Sequence, residues 1–240
     1  MKSERYSKFL AGLVTSLIIL SLVISPALAI AGDTTRVSVV SGGTQGNSAS
    51  DYYSAISANG RYVAFTSSAS NLVSGDTNGS RDVFVHNRLN GQTTRSSVAS
   101  NGTQGNDRSE FPSISADGRY VTFQSYASNL VSGDTNDHPD IFVHDLQEGG
   151  TTRVSVASDG TEADVRSDYP SISADGRYVA FQSYATNLVD GDTNKYDDIF
   201  VHDRQTGITT RVSVVFDGAQ AIGGVSEVPS ISANGRYVAF

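Results

Sequence analysis

The hydrophobic and polar positions of this chain repeat with a period of about 58 residues. Four arginines at intervals of 59, 58 and 58 residues mark corresponding places, and they are Arg36, Arg95, Arg153 and Arg211. Four glycines of an S-A-[DN]-G-R-Y segment agree, at intervals of 58, 58 and 59, and they are Gly60, Gly118, Gly176 and Gly235. A fixed period of this size indicates a repeat architecture in which each copy packs against its neighbours.

Within one copy, short apolar segments alternate with polar turns. In the third copy, residues 170–173 are small and begin with a proline, which suits the first position of a short strand. Asp175 and Gly176 then supply the tight turn of a hairpin. Residues 177–183 and 198–202 are apolar on both faces, which is typical of buried central strands.

The last segment of the copy has a different pattern. In residues 209–214, Val212 and Val214 alternate with Arg211 and Ser213, which indicates a half-buried outer strand. A short inner strand, two buried strands and an amphipathic outer strand make up the blade of a β-propeller. We therefore predict an all-β chain, a β-propeller of four-stranded antiparallel blades.

The motifs of the copy add a resemblance to this prediction. The hairpin S-x-[DN]-G-R-Y-V-A-F, followed by D-[IV]-F-V-H-[DN], resembles the WD-repeat-like blades of TolB-type β-propeller proteins, over residues 34–240. The chain departs from that family in using alanine where proline is usual in the turn, and in carrying a long N-L-V-x-G-D-T-N loop. Such motifs are specific for the fold rather than for function, because propellers serve as scaffolds, binding modules and accessory domains of enzymes.

The copies divide residues 30–240 into blades. We predict full blades at about 53–98, 111–156 and 169–215, a lone outer strand at 34–40 and a partial blade at 228–240. Because propellers close with about four to eight blades, we expect either a piece of a longer protein or two chains that complete each other. The open blade faces are apolar, so self-association through them is a further expectation.

Residues 1–29 lie outside the repeat and have the composition of a secretory signal peptide. Three basic residues precede a 16-residue apolar run at 9–24, and Ala27 and Ala29 are the small residues of a cleavage site. An uncleaved anchor is the alternative, since the run is slightly long for a signal peptide and slightly short for a span. The pattern predicts export, to the periplasm or the extracellular space.

Charge and cysteine content limit the kinds of partner that the chain is expected to bind and the interactions that can stabilise it. The formal net charge is -8, and it becomes -10 without residues 1–29, which carry three basic residues and one acid. An acidic chain without basic clusters is not expected to bind nucleic acid, or a membrane beyond the export signal. The chain has no cysteine, so stability must come from packing rather than from disulfides.

Two connections in each copy form the candidate interaction surface. In a propeller, the loop between the second and third strands and the linker to the next blade emerge on the same side. Here these are the G-D-T-N loop and the G-T-Q-G-N linker, which are the longest and most polar connections of the repeat. We call this side the loop face, and we expect a protein or polysaccharide partner there.

The G-D-T-N loops contain two aspartates and an asparagine with the spacing D-x-N-x-x-x-D. The nine residues are Asp76, Asn78, Asp82, Asp134, Asn136, Asp140, Asp192, Asn194 and Asp198. Oxygen ligands at alternate positions of a tight loop suit Ca²⁺, and the opening resembles the calcium loops of integrin-type propellers, although one acid of that pattern is missing. In the other interpretation, the first Asp and the Asn form Asx turns and the last Asp caps the third strand.

Histidines and tyrosines also follow the repeat. We expect the three repeated histidines to be structural, bonded within or between blades, and His138 to lie in a loop; the three are His86, His144 and His202. The repeated tyrosines are expected to face the core, and they are Tyr62, Tyr120, Tyr178 and Tyr237. Three less regular tyrosines near the loop face are candidates for contact with a glycan or peptide, and they are Tyr126, Tyr184 and Tyr196.

The repeat also bears on catalysis. Every serine, histidine and aspartate combination is a copy of the repeat, whereas a nucleophilic site needs a singular set. The first hypothesis is therefore an exported, non-enzymatic propeller that binds a protein or glycan. The alternative is the propeller part of a secreted hydrolase or lyase whose catalytic residues lie outside this chain.

Overall fold

The described part of the chain, residues 34–221 and 224–240 of a computed structural model, consists of short β-strands. Three four-stranded antiparallel sheets and one two-stranded sheet each follow the order of the sequence. No helix occurs among these residues, so none there has the length and apolar character needed to cross a membrane. The predicted leader, residues 1–29, lies outside the described residues.

The three full sheets are the predicted blades and are built alike. Blade 1 contains β1 (Ser50–Ile56), β2 (Tyr62–Ser67), β3 (Asp82–Asn87) and β4 (Gln92–Arg95). Blade 2 contains β5 (Ser109–Ile114), β6 (Tyr120–Ser125), β7 (Asp140–Asp145) and β8 (Thr151–Arg153). Blade 3 contains β9 (Ser167–Ile172), β10 (Tyr178–Ser183), β11 (Asp198–Asp203) and β12 (Ile208–Arg211). The partial blade contains β13 (Ser230–Ile231) and β14 (Val238–Ala239).

The second and third strands of each blade are buried on both faces, as the apolar pattern predicted. In blade 2, all six residues of β7 are buried, and Phe123 packs on Phe142 across the pair with 6.0 Å between ring centroids. The hydrophobic core lies between blades rather than within one. One cluster joins Ile141 and Val143 of blade 2 to Val179 and Phe181 of blade 3, and an equivalent cluster joins blades 1 and 2. The chain is a β-propeller in which neighbouring blades share their cores.

The outer strands are half-buried as predicted, but the buried face is the polar one. In blade 3, Thr209 and Ser213 are buried, whereas Val214 is 41% exposed. The buried hydroxyls have partners, because Thr209 donates to the carbonyl of Val156 at 2.5 Å and Ser213 donates to the Asp198 carboxylate at 2.5 Å. Satisfied hydrogen bonds make the burial of these polar side chains possible.

The inner strands begin earlier than predicted. The strand of blade 3 starts at Ser167 rather than at Pro170, so the proline lies inside it. The register of β9 against β10 shifts between Asp168 and Ser171, which marks a β-bulge. Proline is tolerated there because the extra residue of a bulge leaves the hydrogen-bonding ladder.

The segment 34–40 does not form the predicted outer strand. Its described residues make one isolated bridge, between Val39 and Gln45. The same bridge closes the linker after each full blade, for example between Val98 and Gln104. Besides this local turn, the segment is held by blade 1, where the Thr93 hydroxyl donates to the carbonyl of Val39.

Candidate functional site

The loop face is assembled from the two connections that were expected to meet there. The backbone N–H of Thr77, in the G-D-T-N loop of blade 1, donates to the side-chain carbonyl of Gln104 in the following linker at 3.2 Å. Thr193 and Gln220 repeat this bond in blade 3 at 3.2 Å. These bonds hold loop and linker together, so the predicted convergence of the two connections is confirmed.

The asparagine of each D-x-N-x-x-x-D loop forms the predicted Asx turn. The Asn78 side-chain carbonyl accepts the N–H of Ser80 at 2.9 Å, and its amide group donates to the Gly105 carbonyl at 2.9 Å. The last aspartate lies at the start of the third strand, where Asp82 accepts a bond of 2.6 Å from Ser97. Asn136 and Asn194 make the equivalent contacts in blades 2 and 3.

An arginine lies among the carboxylates of every loop. In blade 1, Arg95 Nη1 is 3.4 Å from Asp76 and 3.3 Å from Asp82. Arg211 pairs with Asp192 at 3.4 Å and with Asp198 at 3.7 Å in blade 3. These arginines belong to the outer strands and mark the repeat in the sequence. Sequence reasoning missed their role, because the loop and the outer strand are separated along the chain and meet only in the folded blade.

Blade 2 adds a third acid to this arrangement. Arg153 is 3.1 Å from Asp140 and 3.8 Å from Asp134, and it also contacts Glu162, which stands where the other linkers have glutamine. Carboxylate oxygens of the three acids lie within 4.8 Å of one another. Burial raises the pKa of Asp140 to about 6, and bonds from Ser155 and Arg153 act in the opposite direction.

On the loop face, the cluster of Asp134, Asp140 and Glu162 has the set of oxygen donors that most resembles a cation site. Calcium needs about six to eight oxygen ligands, and here three carboxylates already surround a guanidinium. An ion at this position would have to displace Arg153 or share its carboxylates. The arrangement favours the structural interpretation of the aspartates, and the calcium hypothesis remains a prediction to be tested.

The repeated histidines are bonded as expected. The Nδ1 atom of His144 lies 2.8 Å from Thr151 Oγ1, and that hydroxyl donates to the Val98 carbonyl at 2.5 Å. Because the threonine proton is used in this bond, His144 is the donor at Nδ1. Burial lowers the pKa of the imidazole. His86 and His202 have the same partners in their own blades, so these side chains link each outer strand to the preceding linker.

The less regular tyrosines differ in their environments. The Arg108 guanidinium lies over the Tyr126 ring, 3.7 Å from its centroid. Tyr184 is 39% exposed and Tyr196 is 43% exposed. His138 lies in the G-D-T-N loop of blade 2 and is exposed, as expected. These side chains are separate rather than gathered in one cluster.

A continuous aromatic cluster occurs on the inner strands instead. Tyr53, Phe111 and Tyr169 form a row that we call the aromatic ladder. Ring centroids are 4.1 Å apart between the first two and 4.6 Å apart between the last two. Val228 continues the row in the partial blade, and the adjoining groove has a volume of about 240 Å³. The ladder lies in the half of the inner strands that follows the linkers, which is the half nearest the loop face.

The backbone of the ladder is strained. Phe111 and Tyr169 have φ angles of +53° and +50°, and Val228 has +51°. Bulky side chains rarely occupy this region, and each such residue costs about 1–3 kcal/mol. Phe111 and Tyr169 lie in the bulges of their strands, and a proline follows each of the three strained positions. Such strain persists where the surrounding structure imposes it, and it is concentrated at ligand-binding positions.

Ion pairs hold the residues that precede the ladder. Arg81 pairs with Asp51 at 2.7 Å and also contacts Glu110, so it connects the inner strands of blades 1 and 2. Arg166 pairs with Asp168 at 2.5 Å and with Asp197 at 2.7 Å. These ion pairs therefore fix the residues that lie next to the ladder.

Sequence reasoning did not identify the ladder, although the sequence carries a signal for it. An aromatic residue recurs at an interval of 58 residues, at Tyr53, Phe111 and Tyr169, directly before proline in the last two cases. A strand predicted to begin at Pro170 leaves Tyr169 at the edge of its blade, outside the strand. The bulge shows that this residue belongs to the strand, where it is half-buried.

Comparisons with known proteins find similar solved structures at low sequence identity. No protein-family model and no curated protein matches the chain. Among solved structures, TolB from Acinetobacter baumannii is 21% identical over 81% of this chain and 37% of that protein, with a TM-score of 0.49. The propeller domain of the trilobed protease from Pyrococcus furiosus is 15% identical over 69% of this chain and 43% of that domain, with a TM-score of 0.43.

A third similar structure is a prolyl endopeptidase, 16% identical over 80% of this chain and 25% of that enzyme, with a TM-score of 0.48. The chain therefore spans between a quarter and a half of the length of these proteins. At such identities the similarity concerns the fold alone. The chain is a β-propeller module.

Proposed function

We propose that this chain is an exported, non-enzymatic β-propeller module that binds a protein or a glycan at the aromatic ladder. The observation that carries the proposal is the row of Tyr53, Phe111 and Tyr169, in which the middle ring contacts the other two and the last two residues have strained backbone. Aromatic rings offer a large contact area at low entropic cost, and they dominate the binding energy of many interfaces.

The surroundings of the ladder suit binding rather than chemistry. Its acids are engaged with arginines, and the buried histidines bond threonines in all three blades. A rigid aromatic surface beside polar loops matches sugar rings, which present C–H groups on one side and hydroxyls at the edge. It also matches apolar side chains of a peptide.

Export is supported by the composition of residues 1–29, a basic start followed by an apolar run and small residues. The acidic charge of the rest of the chain supports a partner other than nucleic acid.

The test is a binding screen of the purified chain against soluble polysaccharides and against a peptide display library. We expect a ligand whose affinity falls by at least about tenfold in the double variant Tyr53→Ala/Phe111→Ala, because loss of a binding hot spot costs about 2 kcal/mol. The control is Phe216→Ala, which removes an exposed aromatic side chain far from the ladder in sequence.

An affinity that is unchanged in the folded ladder variant, or a screen that yields no ligand, would contradict the proposal. Hydrolysis of ester or peptide substrates by the purified chain would contradict its non-enzymatic part.

A further inference from the structure

A groove of about 590 Å³ lies between blades 1 and 2, at the hairpin ends of the strands, opposite the loop face. Its walls include Tyr62, Asn87, Gln92, Leu146 and Gln147. The equivalent groove between blades 2 and 3 has about 330 Å³. Because both grooves are built from the same repeat, their difference in volume can be traced to particular residues.

The smaller volume of the second groove results from the side chain of Arg204. Leu146 in blade 2 and Arg204 in blade 3 occupy the same backbone position, since their N–H groups donate to Arg119 and Arg177 respectively, each at 2.9 Å. The Arg204 guanidinium fills its groove, lying 4.5 Å from the centroid of the Tyr120 ring. It also donates to the Gly176 carbonyl at 2.6 Å. Leucine is shorter and has no donor, so the larger groove stays open.

A second difference between the two grooves concerns a carboxylate near Arg204. The carboxylate of Asp145 attracts Arg204 in the filled groove, where burial lowers the pKa of the guanidinium. The residue equivalent to Asp145 in blade 1 is Asn87, which pairs with the same register position of its central strand. The open groove therefore lacks this pair of opposite charges, with Asn87 in place of Asp145 and Leu146 in place of Arg204, although Arg95, Asp117 and Arg119 also belong to its lining.

The lining of the open groove includes one aromatic ring and three amides. The ring is Tyr62, which lacks the counterpart of the Arg204 guanidinium over Tyr120 and has only its neighbour Arg61, at 4.9 Å from its centroid. Asn87, Gln92 and Gln147 supply side chains that both donate and accept hydrogen bonds. The charged groups of the wall have partners: Arg119 bonds Asp145 at 2.7 Å, Arg95 lies 3.3 Å from Asp82, and Asp117 accepts the N–H of Arg119 at 2.9 Å. Burial lowers the pKa of His144.

We propose that this groove, defined by Tyr62, Asn87, Gln92, Leu146 and Gln147, is a binding site for a neutral saccharide. A sugar ring matches an aromatic face with its C–H side, and its hydroxyls match amides that donate and accept. A volume of about 590 Å³ lies within the range of small-ligand sites, which is about 300–1,000 Å³. The site lies at the other end of the strands from the aromatic ladder and does not depend on the ladder's ligand.

The chain contains its own matched variants for a test. In Asn87→Asp/Leu146→Arg, the open groove acquires the charge pair of the filled one. In Asp145→Asn/Arg204→Leu, the filled groove acquires the lining of the open one. Binding of the neutral disaccharides cellobiose, maltose and N-acetylchitobiose is measured by calorimetry and by ligand-observed NMR, with thermal unfolding of each variant as a check of folding.

We expect at least one of these disaccharides to bind the wild-type chain, to bind at least about tenfold more weakly to Asn87→Asp/Leu146→Arg, and to bind at a second site in Asp145→Asn/Arg204→Leu. The ladder variant Tyr53→Ala/Phe111→Ala should leave this binding unchanged, which separates the groove from the proposed function. Equal affinity in the two groove variants, absence of binding by all three sugars, or preference for arginine methyl ester over the sugars would overturn the proposal.

Discussion

Tyr62 of blade 1 lies so close to Gly118 of blade 2 that a Cβ atom added to the glycine would stand 2.1 Å from the tyrosine Cδ2. Tyr120 and Gly176 repeat the contact at 2.2 Å, and Tyr178 and Gly235 at 2.1 Å. Tyr62 and Tyr120 border the hydrophobic clusters, as predicted for core-facing side chains, and they also pack against the hairpin turn of the next blade. The same prediction was wrong for Tyr237, which is 65% exposed. The glycine at each turn is therefore needed for the spacing between blades as well as for its positive φ angle.

We expect Gly118→Ala to lower the free energy of unfolding by about 3 kcal/mol or more, since it combines a strained φ of +79° with a clash against Tyr62. Gly133→Ala is the matched control, because its φ is +76° but nothing lies within 4 Å of the added carbon. It should cost only about 1–2 kcal/mol. Urea denaturation measures both, and equal losses would contradict the inter-blade contact.

The polar face of the outer strands gives a second prediction. Thr151→Val removes the hydroxyl that bonds Val98 and His144, so we expect a loss of about 1–3 kcal/mol of stability. Thr152→Val, at the neighbouring exposed position, should change stability by no more than about 0.5 kcal/mol. Chemical denaturation of the pair tests which face is buried, and a larger loss for Thr152→Val would reverse the assignment.

The raised pKa of Asp140 predicts a pH dependence. Because its pKa is about 6 in the folded state and 3.8 ordinarily, the folded state binds this proton more tightly than the unfolded state. The contribution to stability is fully present below the ordinary pKa and is lost as the pH rises through the folded value. The free energy of unfolding of Asp140→Asn, relative to wild type, should therefore rise between about pH 4 and pH 6.

Asp203→Asn is the control for this series. The bond from Arg177 lowers the pKa of the Asp203 carboxylate, so its contribution is present above the ordinary pKa and is lost on acidification. The difference for Asp203→Asn should rise as the pH falls below about 4, whereas the difference for Asp140→Asn should rise as the pH increases from about 4 to 6. Denaturation at several pH values measures both, and a flat Asp140→Asn difference over that range would show that the pKa of Asp140 is not raised.

The guanidinium among the acids predicts the response to calcium. Since Arg153 already contacts Asp134, Asp140 and Glu162, we expect the melting temperature of the wild-type chain to be the same in millimolar Ca²⁺ and in chelator. Arg153→Gln leaves the three acids without their cation, so its melting temperature should rise with Ca²⁺. A rise in the wild-type chain would instead support the calcium hypothesis.

Cleavage of the leader can be checked directly. If Ala27 and Ala29 form the cleavage site, the protein secreted by a bacterial host should begin at Ile30, as read by N-terminal sequencing. Ala29→Arg should block processing, because the site requires small residues. A membrane-bound product that retains residues 1–29 would favour the uncleaved anchor.

Much of the fold was predictable because its signals are local. The Asp-Gly turns, the two-sided apolar strands and the interval of 58 residues predicted the blades, and the central strands begin within one residue of the predicted positions. The bulge before Pro170 was missed, since a positive φ at tyrosine is contrary to local preference and depends on packing. The loop and the linker meet as expected, but the position of Arg153 among the loop acids was not recognised.

By itself, the sequence determined the all-β class, the repeat, the order of the strands and the side on which the long loops gather, because each follows from patterns within one copy. The tertiary structure decided what lies between copies. It paired the arginines with the loop acids, brought Tyr53, Phe111 and Tyr169 into a ladder, and opened a groove where Leu146 replaces arginine. These contacts join residues in separate strands and blades, so they depend on how the sheets pack rather than on the periodicity of either segment.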